Sequence, residues 1–249
     1  MSNGQCVNLA SVAKSSVNAS RVSAAVRLIR EGIFQGRFAP GMALRELSLA
    51  CELNVSQATV RDALQRLEHA GLVTRKQNVG TTVTRLTPKD IRERVGLRSM
   101  LEVMAAESAA GRMSEPDFAE LERRLAVLGE AIVSDNYYEA AQADLEFHRH
   151  IWHCSGNEML CRLLEQVAVP LFAFISILRS QGLQRLTAVV AEHSPLVEAL
   201  RDRNPEKIRS AFQRGATSSY EAFLGEATGE RNAAQVFGFL DSRQEVPTV

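Results

Sequence analysis

The chain has 249 residues, is 45% hydrophobic, and balances 29 Lys+Arg against 29 Asp+Glu for a formal net charge of zero, which excludes a disordered chain and allows one large or two modest packed domains. No apolar run reaches the length of a membrane span, and Met1-Ser2-Asn3-Gly4-Gln5 lacks the basic start and apolar core of a secretory leader, so a cytoplasmic protein with no membrane contact is expected. Cys6, Cys51, Cys154 and Cys161 have no paired metal-type spacing and read as free thiols of a reducing compartment.

The charge is unevenly placed. Residues 1–85 hold 11 Lys+Arg against 5 Asp+Glu, and the remainder holds 18 against 24, a basic module joined to an acidic one, as suits attraction to nucleic acid at one end only. Residues 1–19, polar and small, read as a loose arm. Val22, Ala25, Leu28, Ile29 and Ile33 follow helical spacing up to Phe34, and Gly36 ends that helix. After the turn Phe38-Ala39-Pro40-Gly41, the stretch Leu47–Leu53 predicts a short helix and Asn54 a turn. Ser56 then caps a second helix with Val60, Ala63, Leu64 and Leu67 inward, stopped by Gly71. Its outer face, Gln57, Ala58, Arg61, Gln65 and Arg66, is rich in donors and nearly free of acid, on a rod that fits a DNA major groove. Leu72–Lys76 and Thr81–Arg85, joined through Gln77-Asn78-Val79-Gly80, predict a hairpin. The sum is a winged helix-turn-helix. Ser56, Gln57, Ala58, Thr59 and Arg61 are its candidate base-facing residues, and Arg75 and Gly80 its wing contacts. Arg45 and Arg66 are phosphate contacts or ordinary solvated arginines, two readings that spacing leaves open. Two core helices of an all-helical protein remain the plainer account of the same pattern.

Thr87-Pro88-Lys89-Asp90 marks a boundary: Thr87 is placed to cap, Pro88 suits the first helical position, and Asp90 lies in the first turn. From there on the patterns are helical, at about 88–111, 115–133, 136–154, 157–180, 184–203 and 205–226, an antiparallel bundle. Val236, Phe237, Phe239 and Leu240 in the tail suit one more short helix. The expected fold is mainly α, with a winged helix-turn-helix over 20–86, an all-helical domain over 87–228 and a tail over 229–249. Asp144 and His148 stand four apart on one helix, and His193 follows Glu192 on a later one. One carboxylate and two imidazoles can hold a borderline divalent ion such as zinc, nickel or manganese; a surface pair beside an unrelated histidine is the ordinary alternative. His150 and His153 read as surface or partner-facing. Arg98 and Glu102, again four apart, are either a buried carboxylate grip or a helix-surface salt bridge. Asn157, after Ser155-Gly156, reads best as a cap for the following helix.

Taken together these motifs resemble the GntR family of bacterial transcriptional regulators, in its FadR-like branch with an FCD effector-binding domain, over roughly residues 20–226. In the first domain the resemblance rests on Pro40-Gly41, Leu44, Glu46, Leu49-Ala50, Val55-Ser56, Val60-Arg61, Ala63-Leu64, Leu67, Gly71-Leu72-Val73 and Gly80. In the second it rests on Arg98 with Leu101-Glu102, Asp144 with Phe147-His148, Ser155-Gly156-Asn157, and Glu192-His193. It implies a homodimer on an imperfect palindromic operator of double-stranded DNA, with a small effector in the helical domain. The chain departs from the family pattern at Gln57 and Leu47, where relatives carry DNA-contacting arginines, so an operator unlike the common consensus is expected, with Gln57 suited to adenine. The resemblance carries the metal ligands onto Asp144, His148 and His193. The fourth falls on Gly215, so the implied site is an incomplete three-ligand one, holding a divalent ion with added water or metal-free. Arg98, Glu102, Asn157 and Arg214 are the effector-binding candidates, Arg214 as a cation projecting into the space the missing histidine leaves.

The function expected is a ligand-responsive transcriptional regulator, a repressor of a catabolic or transport operon under a small organic acid or amino acid anion, and not an enzyme. Two alternatives compete. One is a metal-dependent enzyme fused to a DNA-binding module, with Glu102 or Glu192 as base. The other is a DNA-binding protein that needs no effector.

Overall fold

A capping serine, a left-handed asparagine and a run of well-spaced apolar residues build the first domain. The computed structural model describes residues 9–76, 80–134, 136–180 and 189–221, the side chains of 9–18 and 189–190 excepted. Helix α1 (Leu9–Phe34) buries Val22, Ala25, Ile29 and Ile33 and begins well before Val22. The loose-arm expectation is therefore corrected for residues 9–19, a stretch without Gly or Pro to interrupt a helix; residues 1–8 lie outside the described residues. The short α2 (Glu46–Leu53) ends at Asn54, whose φ of 51° turns the chain. α3 (Gln57–His69) starts at Ser56, whose hydroxyl accepts the Thr59 N–H at 3.1 Å, and buries Val60, Ala63, Leu64 and Leu67 as its spacing predicts.

The hairpin is present as β2 (Val73–Lys76) and β3 (Gly80–Val83), in antiparallel register with Val73 opposite Val83 and Lys76 opposite Gly80. A strand that the sequence reading lacks, β1 (Ala43–Leu44), pairs on the far side of β3, giving the order β1-β3-β2. Two residues are too few to show a period of two.

The second domain opens where Thr87 predicts. Its hydroxyl accepts the Asp90 N–H at 3.1 Å while the Asp90 carboxylate accepts the Thr87 N–H at 2.8 Å, a reciprocal cap worth about 1 kcal/mol. There follow α4 (Pro88–Ala110), α5 (Glu115–Val133), α6 (Tyr137–Cys154), α7 (Glu158–Ser180), α8 (Val189–Asp202) and α9 (Pro205–Ser218). Helix α7 is long and apolar enough to cross a membrane by length and composition, contrary to the expectation that no run is. Two thirds of its apolar window, 67%, is buried inside the protein, so it serves as the central core helix. Within the expected 205–226, α9 is broken after Ser218 by a turn. The Thr217 and Ser218 hydroxyls bond back to the carbonyls of Gln213, Arg214 and Gly215, and Ser219-Tyr220 forms a turn; such side chains compete with the helix's own ladder. The first part of helix 184–203, the end of helix 205–226 and the tail helix lie outside the described residues.

The two domains share one apolar core, in which Ile29, Phe34, Leu64 and Leu72 of the first join Ala141, Leu145, Trp152, Leu164 and Phe172 of the second. Pro170 lies inside α7 beside Gly71 of the first domain. A proline leaves the carbonyl four residues earlier without its helical donor, and Arg94 of α4 donates to that carbonyl, Gln166 O, at 2.7 Å. Gly71 lies on the same spot. Its φ is +71°, and a Cβ there would sit 3.0 Å from both Gln166 O and Pro170 Cγ, so a side chain would meet strain of about 1–2 kcal/mol from φ alone besides the collision.

Candidate functional site

Helices α4, α6, α7, α8 and α9 enclose a polar cavity of about 20 Å³, room for about one water molecule. Arg98, Asp144, His148, Phe172, Arg179, His193, Gly215, Ser219 and Tyr220 line it. Both four-residue pairs point inward: Arg98 is 3%, Glu102 1%, Asp144 7%, His148 3% and His193 5% exposed. The surface readings of these residues are thereby set aside.

The chemistry of the donors fixes their protons. Arg98 Nη2 lies 3.3 Å from His148 Nε2, and a guanidinium only donates, so this nitrogen is the acceptor and the proton is on Nδ1. Nδ1 in turn lies 3.0 Å from Glu102 Oε1, a carboxylate orienting an imidazole from behind as in the outer shell of metal sites. That approach is poorly aligned: neither Nδ1 nor either Glu102 oxygen has a well-directed hydrogen bond among the described residues. Asp144 Oδ1 stands 2.9 Å from His193 Nε2 and 3.5 Å from His148 Nε2. Burial opposes ionisation of Glu102, yet Arg98, 3.3 Å away, and His148 outweigh it and hold the carboxyl at about 2. Asp144, against the same cost of burial, is held well below the ordinary carboxylate range by His193. Burial pushes Tyr220 up to about 12, leaving a neutral hydroxyl. Arg98 also stacks on Phe172, 4.5 Å from the ring centroid.

Asp144, His148 and His193 offer three donor atoms within 4.8 Å of one another. Ligands about 2.1 Å from a common ion lie about 3 Å apart at right angles, close to the separations above. The donor set thus fits a divalent ion. Gly215 faces the same space, and the nearest atoms a Cβ on it would meet belong to Leu196, from 3.4 Å; a Cβ fits there, and glycine supplies no ligand.

Two expected effector residues are corrected. Arg214 is exposed, bonds Ser210 Oγ at 2.7 Å, and opens on an outer groove, because neighbours on a helix point about 100° apart and Gly215 holds the inward position. Asn157 is exposed and its Oδ1 accepts the Leu160 N–H at 3.0 Å, the capping role alone. Arg179, 3% exposed, is the second buried cation that the sequence reading missed, and its Nε makes no hydrogen bond among the described residues. A lone arginine ending an apolar run was its only signal. His150, read as a surface residue, donates from Nε2 to the Asp117 carbonyl at 2.9 Å and ties α6 to α5.

On the first domain, Gln57, Ala58, Arg61 and Gly80 are exposed, as is Arg45. Thr59 leaves the reading face: it is 3% exposed and its hydroxyl lies 2.8 Å from Ser56 Oγ. Arg66 turns toward Ser23 of α1, at 3.4 Å, and toward a groove shared with Arg162 and Glu165 of α7. Leu47, where relatives carry an arginine, is 67% exposed. A single acid, Glu46, gathers the reading side chains, accepting from Arg61 Nη2 at 2.9 Å and Gln57 Nε2 at 3.2 Å.

Models of known families match both parts of the chain: the bacterial regulatory proteins of the gntR family over residues 21–83, and the FCD domain over 93–215. The chain is 31% identical over 179 residues to an uncharacterized HTH-type transcriptional regulator, YdhC, of Bacillus subtilis (strain 168), with 72% of this chain and 80% of that one covered. It is 30% identical over 180 residues to a Paenarthrobacter nicotinovorans protein described as a probable D-xylose utilization operon transcriptional repressor, with 72% and 78% covered. Among solved structures, E. coli McbR/YncC has the same fold, with a TM-score of 0.71 at 22% identity over 82% of this chain and 96% of that one.

Proposed function

The chain belongs to the gntR family of bacterial regulatory proteins and carries an FCD domain, so it is a DNA-binding transcriptional regulator and not an enzyme; we propose that it is a cytoplasmic, homodimeric repressor of a catabolic or transport operon, released or engaged by a small organic or amino acid anion. The buried cavity carries this reading. Arg98 and Arg179 face Asp144 and Glu192 there, with Glu102 behind Arg98, and the imidazoles add donors and acceptors at fixed positions.

Asp144, His148 and His193 would hold a divalent ion, zinc, nickel or manganese, with water completing its coordination. When bound, such an ion supplies a fixed positive centre that favours a carboxylate ligand. The chain's own residues do the rest. The Glu102 carboxylate faces the Nδ1 edge of the His148 ring at 3.0 Å, Arg98 and Arg179 offer guanidinium donors to an anion, and Tyr220 supplies a neutral hydroxyl. Helix α7 carries Phe172 and Arg179 of the cavity and also Pro170, on which the DNA-binding domain rests. The cavity has room for about one water, so an organic anion would have to widen it by displacing its helices, and a shift of α7 in doing so would move the head directly. The utilization-operon relative supports a role in catabolism.

A continuous exposed apolar face supports the dimer. Arg94 to Gln166 O and Ser108 to Ser155 O set α4 and α7 side by side and antiparallel. This brings Leu97, Met100 and Met104, 47%, 60% and 56% exposed, alongside Met159 and Leu163, 58% and 42% exposed. A second copy of the chain would cover them.

One preparation tests the cavity. Protein purified without added metal or chelator is expected to carry about one divalent ion per chain by elemental analysis, H148A to carry none, and a screen of small organic and amino acid anions to raise the melting midpoint of wild type but not of H148A. Equal trace metal in both proteins, with no anion shifting either, would remove the cavity from the account.

A further inference from the structure

Within the basic first domain, Glu46 is singular in its contacts. As the first residue of α2 it reaches across to the recognition helix, where its two oxygens take Arg61 Nη2 at 2.9 Å, Arg61 Nε at 3.3 Å and Gln57 Nε2 at 3.2 Å. Arg75 on the wing strand β2 stands 4.0 Å away. The Glu46 side chain is 21% exposed beneath an Arg61 that is 56% exposed. Two elements, α3 and β2, thus place side chains suited to DNA around one carboxylate carried by α2.

A carboxylate accepts and cannot donate, and this asymmetry has a consequence for Gln57. A free glutamine amide can flip, presenting oxygen or nitrogen at either end. With Nε2 bonded to Glu46, the nitrogen end is fixed. The amide keeps its second N–H and its Oε1, a donor beside an acceptor, the pattern complementary to N7 and N6 of adenine in the major groove. The same contact holds the Nε and Nη2 edge of Arg61 and cancels its charge, so Arg61 is placed without adding much to attraction for phosphate in general.

We propose that Glu46 is a positioning residue for operator reading: by fixing the amide of Gln57 and the guanidinium of Arg61 it sets a preference for adenine in each half-site, at the expense of affinity for DNA of any sequence. This inference rests on the operator-binding function proposed above. In the uncharged variant E46Q a side-chain oxygen still accepts from Gln57, whereas E46A offers nothing.

Selection from a random duplex pool with full-length wild type, E46A, E46Q and Q57A tests it, with binding to an unrelated duplex measured across salt concentrations. Wild type is expected to enrich adenine about tenfold or more at one position of each half-site. E46A and Q57A are expected to lose that enrichment while E46Q keeps it. E46A should bind the unrelated duplex more tightly than wild type, with a salt slope steeper by about one as Arg61 becomes free to meet phosphate. The proposal is overturned if E46A keeps the wild-type enrichment that Q57A loses, or if E46Q loses it as fully as E46A; either result leaves operator binding itself intact. Wild type that enriches no sequence overturns the operator-binding function instead, and the inference with it.

Discussion

Glu102→Gln is expected to cost the protein about 3–5 kcal/mol of stability, the penalty for leaving a buried charge without its partner. Glu102 is 1% exposed and 3.3 Å from an Arg98 that is 3% exposed. Removing the carboxylate's charge takes from Arg98 its nearest anion and leaves it beside the His148 ring, with Asp144 and Glu192 elsewhere on the cavity wall. Removing both charges together, in a double variant Arg98→Met and Glu102→Leu, should cost less than the sum of the single changes, because apolar groups of similar volume need no solvation. The pH dependence has a definite sign. Glu102 is held at about 2 in the folded state against an ordinary 4.5, so its contribution is complete above about 4.5 and fades as the pH falls from there toward 2. Urea unfolding of wild type and E102Q at several pH values reads this directly. The deficit of E102Q should be full at neutral pH and shrink through that acid window. A deficit under about 1 kcal/mol at neutral pH, or one that does not change with acid, would show that the pair contributes no net charge stabilisation.

Replacing Met100 and Met104 together by glutamate is expected to convert the proposed dimer to a monomer and weaken operator binding by a hundredfold or more. Both side chains stand more than half exposed on the apolar face that α4 shares with α7. In a symmetric pairing each introduced carboxylate would face its own counterpart or an apolar partner, and neither arrangement compensates its desolvation. Operator binding falls with dimerisation because two linked heads meet the second half-site at high effective concentration, which a single head forgoes. The bundle should remain folded, since neither methionine belongs to the core. Sedimentation and a duplex titration on the same samples check both parts. A double variant that is still dimeric places the interface elsewhere.

Much of the fold was legible where a short-range signal fixes the chain. Thr87-Pro88 with Asp90 gave the start of α4, Ser56 the start of the recognition helix, and apolar spacing the inward faces of α3 and α5, because caps and periodicity act over a single turn or two. The i,i+4 pairs Arg98/Glu102 and Asp144/His148 were legible as pairs for the same reason, although spacing could not say which way either faced. What was missed depends on distant neighbours. Arg179 and Tyr220 reach the cavity from elements far along the chain, and nothing local marks them. Arg214 was misplaced by one residue of helical phase, and Thr59 was assigned to the reading face although the cap that identifies the helix start also draws it inward. The length of α1 escaped because its first turns show no amphipathic period, and β1 because it is two residues long.

The proposed regulator acts through two basic heads gripping one duplex. Titrating a fluorescent fragment of the promoter beside the chain's own gene with intact protein, at a series of salt concentrations, tests this most directly. Half a dozen phosphate contacts shared between Arg45, Arg75 and Lys76 of two heads predict a plot of log affinity against log salt with a slope of about −5 and two chains per duplex. A slope near zero, or no binding at low ionic strength to this or any other promoter fragment, would contradict it.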